Sequence, residues 1–117
     1  MDNHDINLNN RVLHVTLKDF GVEIPENYCD LLRNEINPHI KEFDTLIIDM
    51  KNIPYADSKM LGCYVNLFKN MNKAAKEMIC INVQQQVLRI FQITNITEIM
   101  PVKSMDDSKD VLEKYSL

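Results

Sequence analysis

Asp44-Thr45-Leu46-Ile47-Ile48-Asp49-Met50-Lys51-Asn52-Ile53-Pro54-Tyr55-Ala56-Asp57-Ser58, running straight into Lys59-Met60-Leu61-Gly62-Cys63-Tyr64-Val65-Asn66-Leu67-Phe68, is the stretch that decides the fold. Residues 44–50 form an apolar run of the kind found in a strand covered on both faces. Pro54 breaks the segment that follows into a short loop. From Ser58 the period changes, and Leu61, Tyr64, Val65, Phe68, Met71 and Ala75 mark one face of a helix. The first turn of that helix begins at Asp57-Ser58. A serine there, behind an aspartate and at the exit of a buried strand, is well placed to bind or carry a phosphate. Helix N-termini offer unpaired N–H groups and the positive end of the helix dipole.

Outward from this centre, strands and helices alternate. Val12-Leu13-His14-Val15-Thr16-Leu17 has strand composition and pairs with a weaker strand around Ile6-Asn7-Leu8 through a turn at Asn9-Asn10. Phe20-Gly21-Val22 begins a connection, and Pro25 suits the first turn of a helix. Tyr28, Leu31, Leu32 and Ile36 continue that helix until Pro38 ends or kinks it. Residues 70–76 close the helix that starts at Ser58, with lysines at its negative end. Residues 78–83 read as another buried strand, and Gln84-Gln85-Gln86 as a polar loop and first turn before a short helix marked by Val87, Leu88 and Phe91. Residues 98–102 read as an edge strand, because Pro101 cannot donate in a central one. Asp106-Asp107-Ser108 offers N-capping groups to a last helix containing Val111, Leu112 and Tyr115. The expectation is an α/β fold with a mixed sheet of four or five strands, the first two forming a hairpin, and helices packed mainly on one side.

The 117 residues are expected to form one domain, 1–117, with enough buried surface for a single core. Apolar residues make up 45% and charged residues 26%, the balance of a soluble globular chain. A net charge of −4, with no face or run that concentrates Lys and Arg, argues against a nucleic-acid partner. No apolar stretch has the length of a membrane span, so no membrane partner is expected. Met1-Asp2-Asn3-His4-Asp5 is polar and acidic, unlike a signal peptide, and the expected location is cytoplasmic. Cys29, Cys63 and Cys80 are widely spaced in apolar patterns and read as buried, reduced thiols; a catalytic or metal-binding thiol is the sharper alternative. His4, His14 and His39 are scattered too, and no spacing suggests a metal site or a cofactor.

Taken alone, Asp57-Ser58 reads first as a helix cap, a role that contributes about 1 kcal/mol. The wider pattern adds a second meaning. Leu46-Ile47-Ile48-Asp49-Met50, a short loop, and Asp57-Ser58-Lys59-Met60-Leu61-Gly62 together resemble the STAS domain family, in its branch of anti-sigma-factor antagonists. There, a hydrophobic strand ending in Asp-Leu leads through a loop to Asp-Ser-(Ser or Thr)-Gly-Leu-Gly at the start of a helix. Glu77–Val83, Gln86–Ile96 and Thr97–Val102 resemble the family's next strand, third helix and last strand. Lys59 and Met60 depart from the pattern, standing where it has a small residue and a glycine.

The resemblance implies a STAS-like fold and a protein-binding switch rather than an enzyme. It makes Ser58 the phospho-acceptor and Asp57 the acid beside it. The implied partner is an anti-sigma factor with serine kinase activity, bound by the unphosphorylated form so that a sigma factor is released, with a phosphatase acting on phospho-Ser58 as the resetting partner. The expected contact surface is Asp57, Ser58, Lys59, Met60 and Leu61, with Met60 exposed and suited to an adaptable contact. Lys59-Met60 favours the alternative of a structural STAS subunit that holds a larger regulatory or transport complex together without turning over phosphate. An enzyme is the least favoured reading, because Ser58 has no candidate base near it in sequence and the chain has no Gly-rich phosphate loop.

Overall fold

The computed structural model describes residues 4–21 and 23–117. Met1 to Asn3, and Val22 of the expected connection, lie outside the described residues. The elements are β1 (Asp5–Asn9), β2 (Val12–Thr16), α1 (Tyr28–Ile36), β3 (Thr45–Asp49), α2 (Ser58–Lys73), β4 (Glu77–Val83), α3 (Gln85–Ile93), β5 (Val102–Ser104) and α4 (Lys109–Lys114). They build one five-stranded sheet in the order β1-β2-β3-β4-β5, so β3 lies at its centre. The first pair is antiparallel and the remaining pairs are parallel. The expected mixed α/β sheet is therefore present.

Period-two alternation divides the sheet into two faces. Leu13, Val15, Leu46, Ile48, Met78 and Cys80 join the main core with residues of α1, α2 and α3. Val12, Ile47 and Ile81 face the other way and pack with Val111 of α4. Helices thus lie mainly on one side, with one short helix closing the second face. Every residue of β3 is buried, which is why its sequence shows an apolar run rather than alternation.

Several boundaries fall where local chemistry overrides the apolar pattern. The hairpin turn is Asn10-Arg11, one residue beyond the expected position, with both residues at positive φ (50° and 61°). Two-residue hairpin loops favour that conformation because its twist matches the strands. Pro25 sits before α1 rather than in its first turn, its carbonyl accepting the Tyr28 N–H at 3.1 Å. Pro38 lies within a 3-10 turn (Asn37–His39) that extends α1. Leu31, placed by spacing on the apolar face of α1, is 37% exposed. The expected last strand is displaced: Ile96–Glu98 is a 3-10 turn and β5 starts after Pro101, although it does form the sheet edge. Asn95, at φ 62°, ends α3 and turns the chain so that Ile96 enters the core. Asp106–Ser108 is also a 3-10 turn. Ser104 Oγ accepts the Asp107 N–H, and the Ser108 hydroxyl, instead of capping α4, donates back to the Ser104 carbonyl and accepts the Asn82 N–H.

The C-terminus of α2 ends in a Schellman arrangement. Ala75 donates to the Asn72 carbonyl and Lys76 to the Met71 carbonyl, at 3.1 and 2.8 Å, with Ala75 at φ 58°. An L-residue with a Cβ is strained there, whereas glycine is not. Ala75→Gly should therefore stabilise the fold by about 0.5–1 kcal/mol, measured as a shift in the urea midpoint with an unchanged slope.

His4 is buried, its Nδ1 accepting the Lys18 N–H at 2.8 Å and its ring meeting Phe20 and Tyr28 edge-on. Burial, helped by the Lys18 charge, lowers its pKa from 6.5 to about 4. Glu35, 4.0 Å away, is the acid that faces it; burial raises the Glu35 pKa, opposed by a hydrogen bond from the His4 backbone. Between pH 6.5 and 4 the unfolded chain protonates His4 while the fold keeps it neutral, so the His4 contribution to stability falls as pH drops through that window. The loss should approach about 3 kcal/mol by pH 4. Denaturant titrations across this range should show the slope in the wild type and a reduced one in His4→Gln.

Candidate functional site

The expected site residues lie where the parallel strands end. β2, β3, β4 and β5 all run the same way, so the segments after them gather at one end of the sheet. At the end of β3, Asp49 is 2% exposed and accepts from three sides. Its Oδ2 pairs with His14 Nε2 of β2 at 2.9 Å, and its Oδ1 accepts from Asn82 Nδ2 of β4 and from the Lys51 N–H, both at 3.1 Å. Burial alone would push the Asp49 pKa up; the bonds from His14, Asn82 and the Lys51 N–H outweigh it and hold the carboxyl below its ordinary value. Asn82 reaches Asp49 from a left-handed backbone position (φ 54°) at an irregularity in the β4–β5 register. Asparagine tolerates that conformation better than most residues.

The segment from Met50 to Asp57 has little regular structure but is tightly anchored. Met50 N–H bonds the Ile81 carbonyl, and Ile53 N–H bonds the Met50 carbonyl, each at 3.0 Å. Ile53 and Ala56 insert into the main core. From the start of α3, Gln84 Nε2 donates to the Lys51 carbonyl at 3.0 Å and Gln86 Nε2 to the Pro54 carbonyl at 3.2 Å. A glutamine run that resembles low complexity thus clamps the loop that delivers Ser58.

Asp57 is the N-cap of α2. Its backbone is extended, its Oδ1 accepts the Met60 N–H at 2.9 Å, and its carbonyl accepts the Leu61 N–H at 3.0 Å. Ser58 is the first helical residue and is exposed. Among the described residues, no hydrogen bond involves the Ser58 hydroxyl. It therefore stands free at the positive end of a 16-residue helix. Lys59 Nζ lies 3.6 Å from Glu26 Oε1, in the segment that precedes α1. Tyr55 is 53% exposed on the same loop.

Of the five expected contact residues, Asp57, Ser58 and Lys59 come to the surface. Met60 and Leu61 do not: they are buried at 2% and 8% exposure. The expectation of an exposed Met60 fails because the helix face that carries Tyr64, Leu67 and Met71 extends back to include it. The bulky residue at the glycine position is thus absorbed into the core. His14 is engaged by Asp49 and His39 by Glu42. Among the described residues, no group of three or more His, Cys, Asp or Glu side chains is placed to hold a metal ion. No helix among them is long and apolar enough to cross a membrane.

The cysteines differ from the sequence expectation. Cys29 and Cys63 form a disulfide between α1 and α2, leaving Cys80 as the free thiol among the described residues. Sequence spacing gave no signal of that pair, because the two residues meet only when α1 packs on α2. Glu26, His14, Asn82 and the two glutamine clamps also escape a linear reading. Each acts through a residue 32 or more positions away.

The STAS domain model matches residues 23–108. The anti-sigma-B factor antagonist of Listeria monocytogenes is 30% identical over 67 residues, which cover 57% of this chain and 59% of the relative. The match thus spans less than two thirds of that protein. The anti-sigma-B factor antagonist of Bacillus subtilis is 26% identical over 105 residues, covering 90% of this chain and 94% of the relative. In fold, the chain is similar to an anti-sigma-factor antagonist (STAS) domain protein from Planctomyces limnophilus, with a TM-score of 0.76, 13% identity, and coverage of 99% of this chain and 100% of that one. With a family model matched over most of its length, a sheet of the corresponding architecture and the signature turn at residues 57–62, the chain belongs to the STAS domain family.

Proposed function

We propose that this chain is an anti-sigma-factor antagonist, a binding module switched by phosphorylation of Ser58. In its unphosphorylated form it binds an anti-sigma factor with serine kinase activity and so frees a sigma factor; a phosphatase acting on phospho-Ser58 resets it. The observation that carries the reading is the placement of Ser58: exposed, first in α2, and presented by a capped turn on an anchored loop. Similarity to the anti-sigma-B factor antagonists supports the class of partner.

The physical basis of the switch is local. Phosphate adds about −1.5 to −2 charges and three strong acceptor oxygens. At a helix N-terminus this charge is tolerated by the fold, so little rearrangement is needed. The partner, by contrast, meets new bulk and new charge next to the Asp57 carboxylate. Burial of Met60 removes one obstacle that the sequence places beside the hydroxyl. Lys59, tied to Glu26, is the feature that favours the second reading, a structural STAS subunit whose Ser58 never turns over phosphate.

The test pairs mapped intact mass of the protein from its own cells with a binding titration against an anti-sigma factor kinase. Ser58→Ala should bind within about 0.5 kcal/mol of wild type and accept no phosphate. Phospho-Ser58 should bind about a hundredfold more weakly or worse. Ser58→Asp should fall between the two, because one carboxylate has less charge and fewer oxygens. Wild-type affinity for Ser58→Asp, together with an absence of phosphate on Ser58 in cells, would discard the switch in favour of the structural subunit.

A further inference from the structure

Helices α1 and α2 meet along a seam of three cross-links. Lys59 pairs with Glu26, Cys63 is bonded to Cys29, and Asn66 accepts from the Arg33 guanidinium. Successive rungs are three or four residues apart on each side, so Lys59, Cys63 and Asn66 share one ridge of α2, facing Cys29 and Arg33 of α1 and Glu26 in the turn just before it. Beneath them the Tyr28 and Tyr64 hydroxyls bond to each other at 2.7 Å inside the core. The covalent rung is the middle one, and its Cα atoms are 5.3 Å apart. The rung above it begins at Lys59, next to Ser58.

The two bonded cysteines differ from the third. Cys80 lies in the middle of the sheet with no exposure, and burial pushes its thiol up to about 12, so at neutral pH it is neither nucleophile nor exchange partner. Cys63 is buried at 3% exposure, whereas Cys29 is half-buried and so is the less enclosed of the two sulfur-bearing residues. The buried Tyr28–Tyr64 pair and the packing of Leu32, Ile36, Leu67 and Met71 in the core join the helices independently of the bond, so opening need not unfold the chain.

We propose that Cys29–Cys63 is a reversible thiol–disulfide modification site that sets how firmly the first turn of α2 is held. The oxidant is a low-molecular-weight disulfide and the reductant its thiol. In closing, the Cys29 thiolate attacks one sulfur of the small disulfide, forming a mixed disulfide and releasing one small thiolate, which takes up a proton. The Cys63 thiolate then attacks the Cys29 sulfur, closing the protein bond and releasing the second small thiolate, protonated in turn. Two electrons pass from the protein thiols to the small disulfide, and the two protons lost by the cysteines end on the two small thiols. Opening is the same sequence reversed.

The consequence follows from the strength of the other rungs. The Lys59–Glu26 pair is exposed, and pairs of that kind hold a helix end weakly. With the bond closed, α2 is fixed to α1 about one turn below Lys59. With it open, the first turn of α2 keeps its cap and its core contacts at Met60 and Leu61 but loses its covalent tie to α1, and it opens more readily. The thiol chemistry stands independently of the role of Ser58; its bearing on partner binding rests on the antagonist reading.

The experiment uses the full wild-type chain, equilibrated in buffers of rising small-thiol to small-disulfide ratio. Differential alkylation by intact mass, amide exchange at Met60 and Leu61, and thermal melting are read at each ratio. Cys29 and Cys63 should pass together and reversibly from blocked to reactive, while Cys80 stays unreactive until the protein unfolds. Opening should speed exchange at Met60 and Leu61 and lower Tm by about 10 °C. Three free thiols at the oxidising end, a bond that opens only on unfolding, or identical exchange in the two states would overturn the proposal. A pair that titrates as described in a protein whose Ser58 never carries phosphate would support it while sinking the antagonist reading.

Discussion

A buried carboxylate at the end of the central strand governs the geometry of the site. An ionised Asp49 without partners would cost several kcal/mol in the interior. The fold offsets that cost with donors from β2, from β4 and from the first loop backbone. These bonds come from different elements, so satisfying Asp49 sets the positions of all of them. The ends of three neighbouring strands are brought to one level, and the chain is turned at Lys51 in a fixed direction. The loop that follows is held by Ile53 and Ala56 in the core and by Gln84 and Gln86 from outside. Ser58 is thus delivered by a stiff path from the centre of the sheet, even though its own side chain makes no hydrogen bond among the described residues. A rigid scaffold holds such an exposed group in one defined place.

What could be read from the sequence was the part governed by local period and local chemistry. Residues 44–50 and 78–83 announce buried strands by composition, and strands form there at Thr45–Asp49 and Glu77–Val83. Asp57-Ser58 announces a helix start, and Asp57 does cap α2. Where the reading slipped, a tertiary or conformational demand had replaced the local one. Met60 follows the core face of α2 rather than the solvent expected at a helix end. Thr97 to Met100 look strand-like, but the left-handed Asn95 and the missing donor at Pro101 delay pairing to Val102.

Contacts across the fold were out of reach for a different reason. His14, Asn82 and Asp49 belong to separate strands, and only the strand register makes them neighbours. Cys29 and Cys63 read as independent apolar cysteines because nothing local says that their helices share a ridge. The seam joins Cys29 and Arg33, with Glu26 just before α1, to Lys59, Cys63 and Asn66. It gives the start of α2 a second support, independent of the Asp49 cluster. One support sets where Ser58 emerges; the other sets how tightly its first turn is held against α1.

The central proposal is that recognition occurs where Asp57, Ser58 and Lys59 come to the surface. Chemical-shift mapping of the isotope-labelled protein titrated with an anti-sigma factor kinase tests it most directly. The account predicts that perturbed amides cluster on the loop at residues 51–57, the first turn of α2, and the flanking Glu26 and Gln84. Perturbations centred on α4 and the second face of the sheet, with Ser58 and its neighbours unchanged, would contradict it.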